Sequence, residues 1–238
     1  MLQGKKVLVV GGSSGLGLGI AKSCYQTGAE VHIASRDPKK LQKAQEKVGA
    51  DCRCIEVDVQ SKASVEKMFE GLGTLDHLVV TVGKAQIKTF QETSEAEARD
   101  IMDINFWSKF TLVKSATKVL SQQGSVIFVS GAFAQKPNPN LMMASVAIAA
   151  VEALAKALAL SLSPIRVNAI APYVIDTSAL QDGPIGNSRQ AFLDKTRNNL
   201  PARYVGSAED LGHAALFLLS NPYATGSILE LHGGYTLL

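Results

Sequence analysis

Short apolar runs alternate along this chain with stretches in which apolar residues recur every three or four positions. The runs have the length of buried strands, and the stretches between them have the period of amphipathic helices. The runs predict seven strands, at residues 7–10, 30–34, 54–57, 77–82, 126–130, 166–170 and 228–232. The intervening stretches predict helices at residues 16–27, 38–48, 61–72, 95–121, 144–162 and 208–219.

Strands that alternate with helices favour a parallel sheet, because each helix carries the chain back across one face of the sheet. We therefore predict an α/β fold of the Rossmann type: a doubly wound, seven-stranded parallel sheet with helices on both faces. No linker or repeat divides the chain, so a single domain over residues 1–238 is expected. Residues 176–206 are rich in Asn, Gly and Pro, and this long irregular region predicts a substrate lid.

A glycine-rich turn separates the first predicted strand from the first predicted helix. Glycines let backbone N–H groups approach a pyrophosphate, and the helix end offers it a partial positive charge. The turn therefore predicts a dinucleotide site that contains Gly11, Ser13, Ser14, Gly15, Leu16 and Gly17.

Ser35 and Arg36 follow the second strand, where the ribose of a bound adenosine is expected. An acidic residue there would accept hydrogen bonds from a free 2′-hydroxyl, whereas a guanidinium pairs with a 2′-phosphate and stacks on adenine. These two residues favour NADP(H). In the alternative interpretation, Arg36 only begins the solvated face of a helix that Asp37 caps.

Composition narrows the class of protein further. The chain has 238 residues, of which 46% are hydrophobic and 19% charged, as in a globular protein with a sizeable core. Its net charge of +3 is small, and its Lys and Arg residues are expected mostly on polar helix faces, so neither nucleic acid nor a membrane is an expected partner. The segment 142–162 is predicted to be a buried helix rather than a membrane span.

The cysteines and the N-terminal residues predict the cellular compartment of the protein. Cys24, Cys52 and Cys54 have no metal-ligand spacing, so no metal site is predicted and free thiols in a reducing cytoplasm are expected. The first strand begins almost at once, which leaves no room for the apolar stretch of a signal peptide.

Several motifs together resemble the short-chain dehydrogenase/reductase family over essentially the whole chain. The turn has the spacing Gly11-x-x-x-Gly15-x-Gly17 of that family's cofactor signature. Gly83 is the glycine of its Asn-Asn-Ala-Gly motif, and Asn105 stands at its helix asparagine. Residues 164–168, Pro-Ile-Arg-Val-Asn, and the C-terminal segment 224–235 match later family segments.

The resemblance implies an oxidoreductase with a nicotinamide cofactor and a small-molecule substrate that the chain does not identify. It implies that Asp58 and Val59 flank the adenine, that Gly83 and Pro172 border the cofactor, and that Thr177 binds the nicotinamide amide. It also implies a homo-oligomer, a dimer or a tetramer, formed through the helices predicted at 95–121 and 144–162.

The residues that carry out the family's carbonyl chemistry are not found at their expected positions. The family uses a tyrosine as proton donor, a lysine four residues later and a serine upstream. Alignment on residues 164–168 places Ala144 at the tyrosine, Ile148 at the lysine and Gly131 at the serine. We therefore expect reduction of carbonyls by the family's mechanism to be lost.

Three other residues are candidates for a catalytic role. Tyr173 could act as a substitute acid or stack on the nicotinamide or the substrate, or it could simply pack a loop. Ser130 could bind a substrate oxygen or cap a strand end. Asn105 is expected to have a structural role inside its helix, since no lysine is present for it to serve.

Two functions remain open after these observations. The first is an NADP(H)-dependent oxidoreductase that reduces C=N or C=C groups, for which the missing acid matters less. The alternative is an inactive NADP(H)-binding pseudoenzyme that acts as a sensor or as a partner in a hetero-oligomer. A non-redox cyclase or lyase is a third class, which no residue favours.

Overall fold

A computed structural model of the chain describes residues 2–177, 180 and 189–238. Seven parallel strands form one sheet in the order β3-β2-β1-β4-β5-β6-β9. This arrangement confirms the predicted Rossmann-type, doubly wound parallel sheet. The strands are β1 Lys6–Val10, β2 Glu30–Ser35, β3 Arg53–Glu56, β4 Leu75–Val80, β5 Leu120–Val129, β6 Arg166–Pro172 and β9 Ile228–Leu231.

Helices cover both faces of the sheet because successive strand residues point to opposite sides. On β1, Val7 and Val9 join a core with α1, α2 and α8, whereas Leu8 and Val10 join a core with α3, α5 and α6. The helices are α1 Gly15–Gln26, α2 Pro38–Val48, α3 Lys62–Glu70, α4 Glu95–Met102, α5 Ser108–Ala116, α6 Met142–Ser161, α7 Arg189–Asn199 and α8 Ala208–Ser220.

The single helix predicted over residues 95–121 is wrong in two respects. A π turn, Asp103–Trp107, separates α4 from α5, and β5 already begins at Leu120. The apolar period runs through all of these residues, so it does not reveal the extra residue that a π turn inserts.

The prediction that residues 142–162 form a buried helix holds for one face only. Val151 and Ala155 of α6 pack on the sheet, but Val146 is 49% exposed and Leu160 84% exposed. Among the described helices, α6 alone has the length and hydropathy that a membrane span requires. The subunit interface expected on its outer face stays a prediction.

The described part of the predicted lid contains regular secondary structure that its composition does not predict. Two short strands, β7 Ile175–Asp176 and β8 Gly206–Ser207, pair in parallel, and α7 lies between them along the chain. Leu193, Thr196 and Leu200 are buried at helical spacing, a signal that the surrounding polar residues concealed. Residues 178–179 and 181–188 of the predicted lid lie outside the described residues.

The packing of α1 against α8 gives a testable prediction. A Cβ atom at Gly19 would lie 2.3 Å from the Ala208 carbonyl oxygen, so Gly19→Ala must push the two helices apart. We expect a loss of about 1–3 kcal/mol in the free energy of unfolding, measured by denaturant titration. As a control, Gly71→Ala places its Cβ in open space and should change that free energy by less than about 0.5 kcal/mol. Equal effects of the two substitutions would contradict this account.

Candidate functional site

A cavity of about 660 Å³ opens beyond the carboxyl ends of the central strands. It lies where the strand order reverses between β1 and β4, which is the ligand position of open parallel sheets. Most of the predicted site residues line it: Gly11, Ser13, Ser14, Gly15, Leu16, Gly17, Ser35, Arg36, Val59, Gly83, Tyr173 and Thr177. Asp58, Asn105, Ser130 and Pro172 lie outside this lining, as described below.

The turn between β1 and α1 forms one end of the cavity and is shaped by close contacts. Gly11 has a φ of +91°, and a Cβ there would lie 2.3 Å from the Thr81 hydroxyl oxygen. A Cβ at Gly17 would lie 2.3 Å from the Gly11 carbonyl oxygen, so the turn and the helix meet backbone to backbone. Ser14 precedes α1 without a side-chain capping bond. The helix N-terminus is thus available to an anion, which fits a pyrophosphate.

The end of β2 offers two unused polar groups to the same cavity. The Ser35 hydroxyl is buried without a hydrogen-bond partner. The Arg36 side chain is exposed, and no hydrogen bond or ion pair joins it to another described residue. Asp37 caps α2 by accepting from the Lys39 and Lys40 amides, so Arg36 both precedes the helix and lines the cavity. An orphaned hydroxyl beside a free guanidinium fits a phosphate group.

Asp58 forms hydrogen bonds within the segment that follows β3 and does not line this cavity. Its carboxylate accepts from the Gln60 amide at 3.1 Å, and its amide donates to Ser64 Oγ at 3.0 Å. The neighbouring Val59 and Gln60 do line the cavity. The adenine contact through Asp58 stays a prediction, because Asp58 lies outside this lining, whereas the position of Val59 fits it.

Asn105 lies in the π turn, buried behind the loop that follows β4. Its side-chain NH2 donates to the Lys84 and Ile101 carbonyls at 2.8 and 2.9 Å, and its Oδ1 accepts from the Lys84 amide at 3.1 Å. A Cβ at Gly83 would lie 2.8 Å from that Oδ1. Asn105 therefore has the structural contacts expected of it and fixes the loop that borders the cavity.

Lys109 is a buried polar residue that the sequence-based expectation missed. Its side chain is 1% exposed, and its ammonium donates to the Val82 and Asn105 carbonyls at 2.6 and 3.0 Å. Burial alone lowers the pKa of this lysine from 10.5 to about 7. The sequence did contain a signal for this burial. Lys109 precedes the buried Leu112 and Val113 by three and four positions, so it lies on their helix face rather than on the polar face.

An aromatic cluster stands at the other end of the cavity. The rings of Tyr173 and Tyr235 stack at 3.8 Å, and Phe133 meets both edge-on. Burial and the neighbouring Tyr235 raise the pKa of Tyr173 above its usual value of 10. The Tyr173 phenol therefore stays protonated at neutral pH but is a weaker acid than a free tyrosine. Of the alternatives for Tyr173, ring packing is present in the structure.

Ser130 points away from the cavity towards α6. Its hydroxyl donates to Glu152 Oε1 at 2.8 Å and to the Ile170 carbonyl at 3.2 Å. Gln135 binds the same carboxylate, and burial raises the pKa of Glu152 above its usual range. Ser130 thus ties the end of β5 to β6 and α6, as a serine that caps a strand end would.

Gly131 and Ile148 are neighbours in space, although 17 residues separate them in the chain. A Cβ at Gly131 would lie 3.2 Å from Ile148 Cδ1 and 3.6 Å from the Pro172 carbonyl oxygen. Pro172 is buried at the end of β6, directly before Tyr173. Ala144, one turn before Ile148 on α6, is 7% exposed. The alignment on residues 164–168 places the family's serine, tyrosine and lysine at Gly131, Ala144 and Ile148. None of these three residues has an ionisable side chain.

The fold and this cavity define a Rossmann-type nucleotide-binding protein. A family model described as enoyl-(acyl carrier protein) reductase matches residues 10–236. The short-chain dehydrogenase/reductase ATR9 of Stachybotrys chlorohalonatus is 30% identical and covers 98% of this chain and 97% of its own. The chain belongs to the short-chain dehydrogenase/reductase family of oxidoreductases, which bind nicotinamide cofactors.

Solved structures agree with this assignment. The MalC reductase/Diels-Alderase from Malbranchea aurantiaca superposes with a TM-score of 0.93 at 26% identity, covering 100% of this chain and 98% of its own. A small-chain dehydrogenase in complex with NADPH gives a TM-score of 0.86 at 32% identity, with 99% and 100% coverage.

Burial of Lys109 gives a prediction about pH and stability. Its pKa is about 7 when folded and 10.5 ordinarily, so the unfolded chain binds more protons between these values. The wild-type free energy of unfolding should therefore rise relative to that of Lys109→Met as the pH increases from 7 to 10, by at most about 1.4 kcal/mol per pH unit. Denaturant titrations of both proteins measure this difference. A difference that is constant with pH would show that Lys109 titrates normally.

Proposed function

We propose that this protein is an NADP(H)-dependent oxidoreductase that reduces C=N or conjugated C=C groups without the family's tyrosine and lysine. The observation that carries the proposal is the contrast between the two ends of one cavity. The nucleotide end presents an uncapped helix, an orphaned hydroxyl and a free guanidinium. Towards the opposite end, Gly131 approaches the Pro172 carbonyl next to Tyr173. Gly131, Ala144 and Ile148 stand at the positions assigned to acid–base catalysis, although they do not line the cavity themselves.

The preference for NADP(H) over NAD(H) is supported by the end of β2. A 2′-phosphate placed there would accept from the Ser35 hydroxyl and pair with Arg36, whereas no carboxylate among the described lining residues would bind a free 2′-hydroxyl. The NADPH complex of a relative that is 32% identical is consistent with this choice. The bound cofactor would supply a hydride at the far end of the cavity.

The reaction type follows from the charge that each substrate would develop. Reduction of a carbonyl places negative charge on oxygen, which requires a proton donor, and such a donor contributes on the order of 10²–10⁴ in rate. An iminium carries positive charge that the hydride neutralises, so it requires no donor at that step. The Tyr173 phenol, with its raised pKa, is a poor substitute acid. Hydride addition to a conjugated C=C gives a delocalised enolate rather than an alkoxide, and water supplies the proton to its carbon. The chain's own residues thus favour substrates that do not form an alkoxide.

A pseudoenzyme is the second candidate, because the same three residues would also abolish turnover. Activity separates the two functions. NADPH oxidation by the purified protein should be measured with panels of cyclic imines, enones and ketones. We expect turnover with imines or enones and none with ketones. Tight NADPH binding without turnover on any panel would instead favour the sensor or hetero-oligomer function.

Arg36 should decide between the two cofactors. Arg36→Leu removes the expected partner of the 2′-phosphate, so NADPH binding should weaken by on the order of 10- to 100-fold while NADH binding stays the same. Fluorescence titration measures both dissociation constants. Lys43→Leu, on the exposed face of α2, removes one positive charge elsewhere and serves as the control. An equal loss for NADPH and NADH would contradict the proposed phosphate contact.

Restoring the three missing side chains tests the assignment of the catalytic positions. The variant Gly131→Ser, Ala144→Tyr, Ile148→Lys should gain ketone reductase activity, measured as NADPH oxidation with small ketones. Gly131→Ser is combined with Ile148→Lys because the Cβ of the new serine would lie 3.2 Å from the Cδ1 atom of Ile148. The double variant without Ala144→Tyr lacks the phenol and should remain inactive. If the triple variant binds NADPH but reduces no ketone, the assignment is wrong or the pocket is closed.

A further inference from the structure

The loop after β4 is a wall of the cavity that is anchored from behind by two polar side chains. Val82 and Gly83 line the cavity. Behind them, Asn105 binds the amide and carbonyl of Lys84, and the Lys109 ammonium binds the Val82 carbonyl at 2.6 Å. Hydrogen bonds therefore attach this part of the cavity wall to the π turn and α5, in addition to the apolar packing of Val82 on the core that contains Leu112 and Val113.

The π turn supplies the second acceptor for Lys109. Asp103–Trp107 adopts the wider turn, and the Asn105 carbonyl at its centre accepts from Lys109 Nζ at 3.0 Å. Lys109 thus joins the irregular part of the helix to the loop. Hydrogen bonds from an ammonium are about twice as strong as those from a neutral donor, so the charged form of Lys109 fixes both carbonyls more firmly.

The buried residues of the elements that pack on α5 and the π turn are apolar or small. The helix of Lys109 itself contributes Leu112 and Val113, and the buried residues of α6 contribute Ala144, Ser145, Ala147 and Val151. The buried face of α3 consists of Val65, Met68 and Phe69, and β5 contributes Val126 and Phe128 to the same core. An ammonium placed there has lost its water without gaining a carboxylate among its hydrogen-bond partners.

The charged groups on those elements have other partners or face solvent. Lys84 on the loop pairs with Asp100 at 2.6 Å, and Asp103 in the π turn is exposed. On α6, Glu152 binds Ser130 and Gln135, and Lys156 is exposed. The charged residues of α3 lie outside its buried face: Lys62, Glu66, Lys67 and Glu70. On β5, the polar residues before its buried run carry no ionisable group. Burial alone therefore lowers the pKa of Lys109 to about 7.

We propose that Lys109 is a positioning residue for the cofactor, and that its protonated form strengthens NADPH binding by fixing the Val82–Lys84 wall of the cavity. This inference rests on the proposed NADP(H) function. The ammonium acts through the Val82 carbonyl and does not line the cavity itself. Protonated Lys109 also adds a positive charge behind a site proposed for an anionic ligand.

The test is an NADPH titration of the full chain between pH 6 and pH 9. Wild-type affinity should fall by on the order of tenfold as the pH rises through about 7. Lys109→Met should bind on the order of tenfold more weakly at pH 6 and should converge with the wild type at pH 9. The cofactor's own 2′-phosphate titrates near pH 6 in both proteins, so the difference between them isolates Lys109.

Two further variants control for fold and charge. Lys114→Met removes an exposed lysine from the same helix and should keep the wild-type pH profile. Lys109→Gln keeps a donor without the charge. If Lys109→Met does not fold, the NADPH affinity of Lys109→Gln should show only the pH dependence that comes from the cofactor's own 2′-phosphate. If Lys109 had a purely structural role, the Lys109 variants would have a lower melting temperature but would keep the wild-type pH profile of NADPH binding. That result would overturn the proposal.

Hydrogen exchange of the unliganded protein separates failure of this inference from failure of the proposed function. At one fixed pH near 6, amides in residues 82–86 should exchange on the order of tenfold faster in Lys109→Met than in Lys114→Met. If the wild type binds no NADPH but this difference appears, the cofactor proposal fails while the anchoring of the wall stands. If exchange is the same in both variants, Lys109 does not position the wall, whatever the cofactor result.

Discussion

The site depends on the backbone contact between the turn after β1 and the first turn of α1. A side chain at either Gly11 or Gly17 would collide with atoms that lie within 2.3 Å of its Cβ. Because both positions lack a side chain, the N-terminus of α1 stays beside the central strand and is directed into the crevice. The Thr81 hydroxyl donates to the Val10 carbonyl at 3.1 Å and holds β4 against the same turn. The cavity lies between the connections that leave β1 and β4 for opposite halves of the sheet.

The two ends of the cavity differ in the kind of group that forms them. The nucleotide end consists largely of backbone, with Ser35 and Arg36 as its polar side chains at the end of β2. Tyr173, Val174 and Ile175 line the opposite end, and the Tyr173 ring packs against Tyr235 and Phe133, which lie outside the lining. The groups at the end of β2 can therefore pair with an anion, whereas the rings around Tyr173 provide a largely apolar surface.

Between these ends, buried polar side chains add hydrogen bonds to the apolar packing of the cavity wall. Asn105 and Lys109 bind backbone groups of the loop after β4 and of the π turn. Removing an ammonium from water costs free energy that carbonyl acceptors offset only in part. A cost of this kind at the wall of a binding site is typical of positions retained for geometry rather than for stability.

Most of the fold could be predicted from the sequence, because strand and helix periods are local. The α2 boundaries agree with the prediction at both ends, since Pro38 and the Asp37 cap define its start. The glycine turn and the Ser35–Arg36 pair could be assigned to the cavity because strand ends meet at one edge of the sheet. The π turn, the helix α7 and the exposed face of α6 could not be predicted in this way.

The sequence by itself determined the alternation of strands and helices, which brings seven strand ends to one edge of the sheet. It also determined which residues follow each of these strands. Only the tertiary structure decided which polar side chains are buried or form hydrogen bonds away from the cavity. Ser130 is bound by Glu152, and Lys109 is enclosed in a core and binds the Val82 carbonyl. The reason is physical: burial and hydrogen-bond partners come from residues distant in the chain, and these decide whether a side chain is available for chemistry.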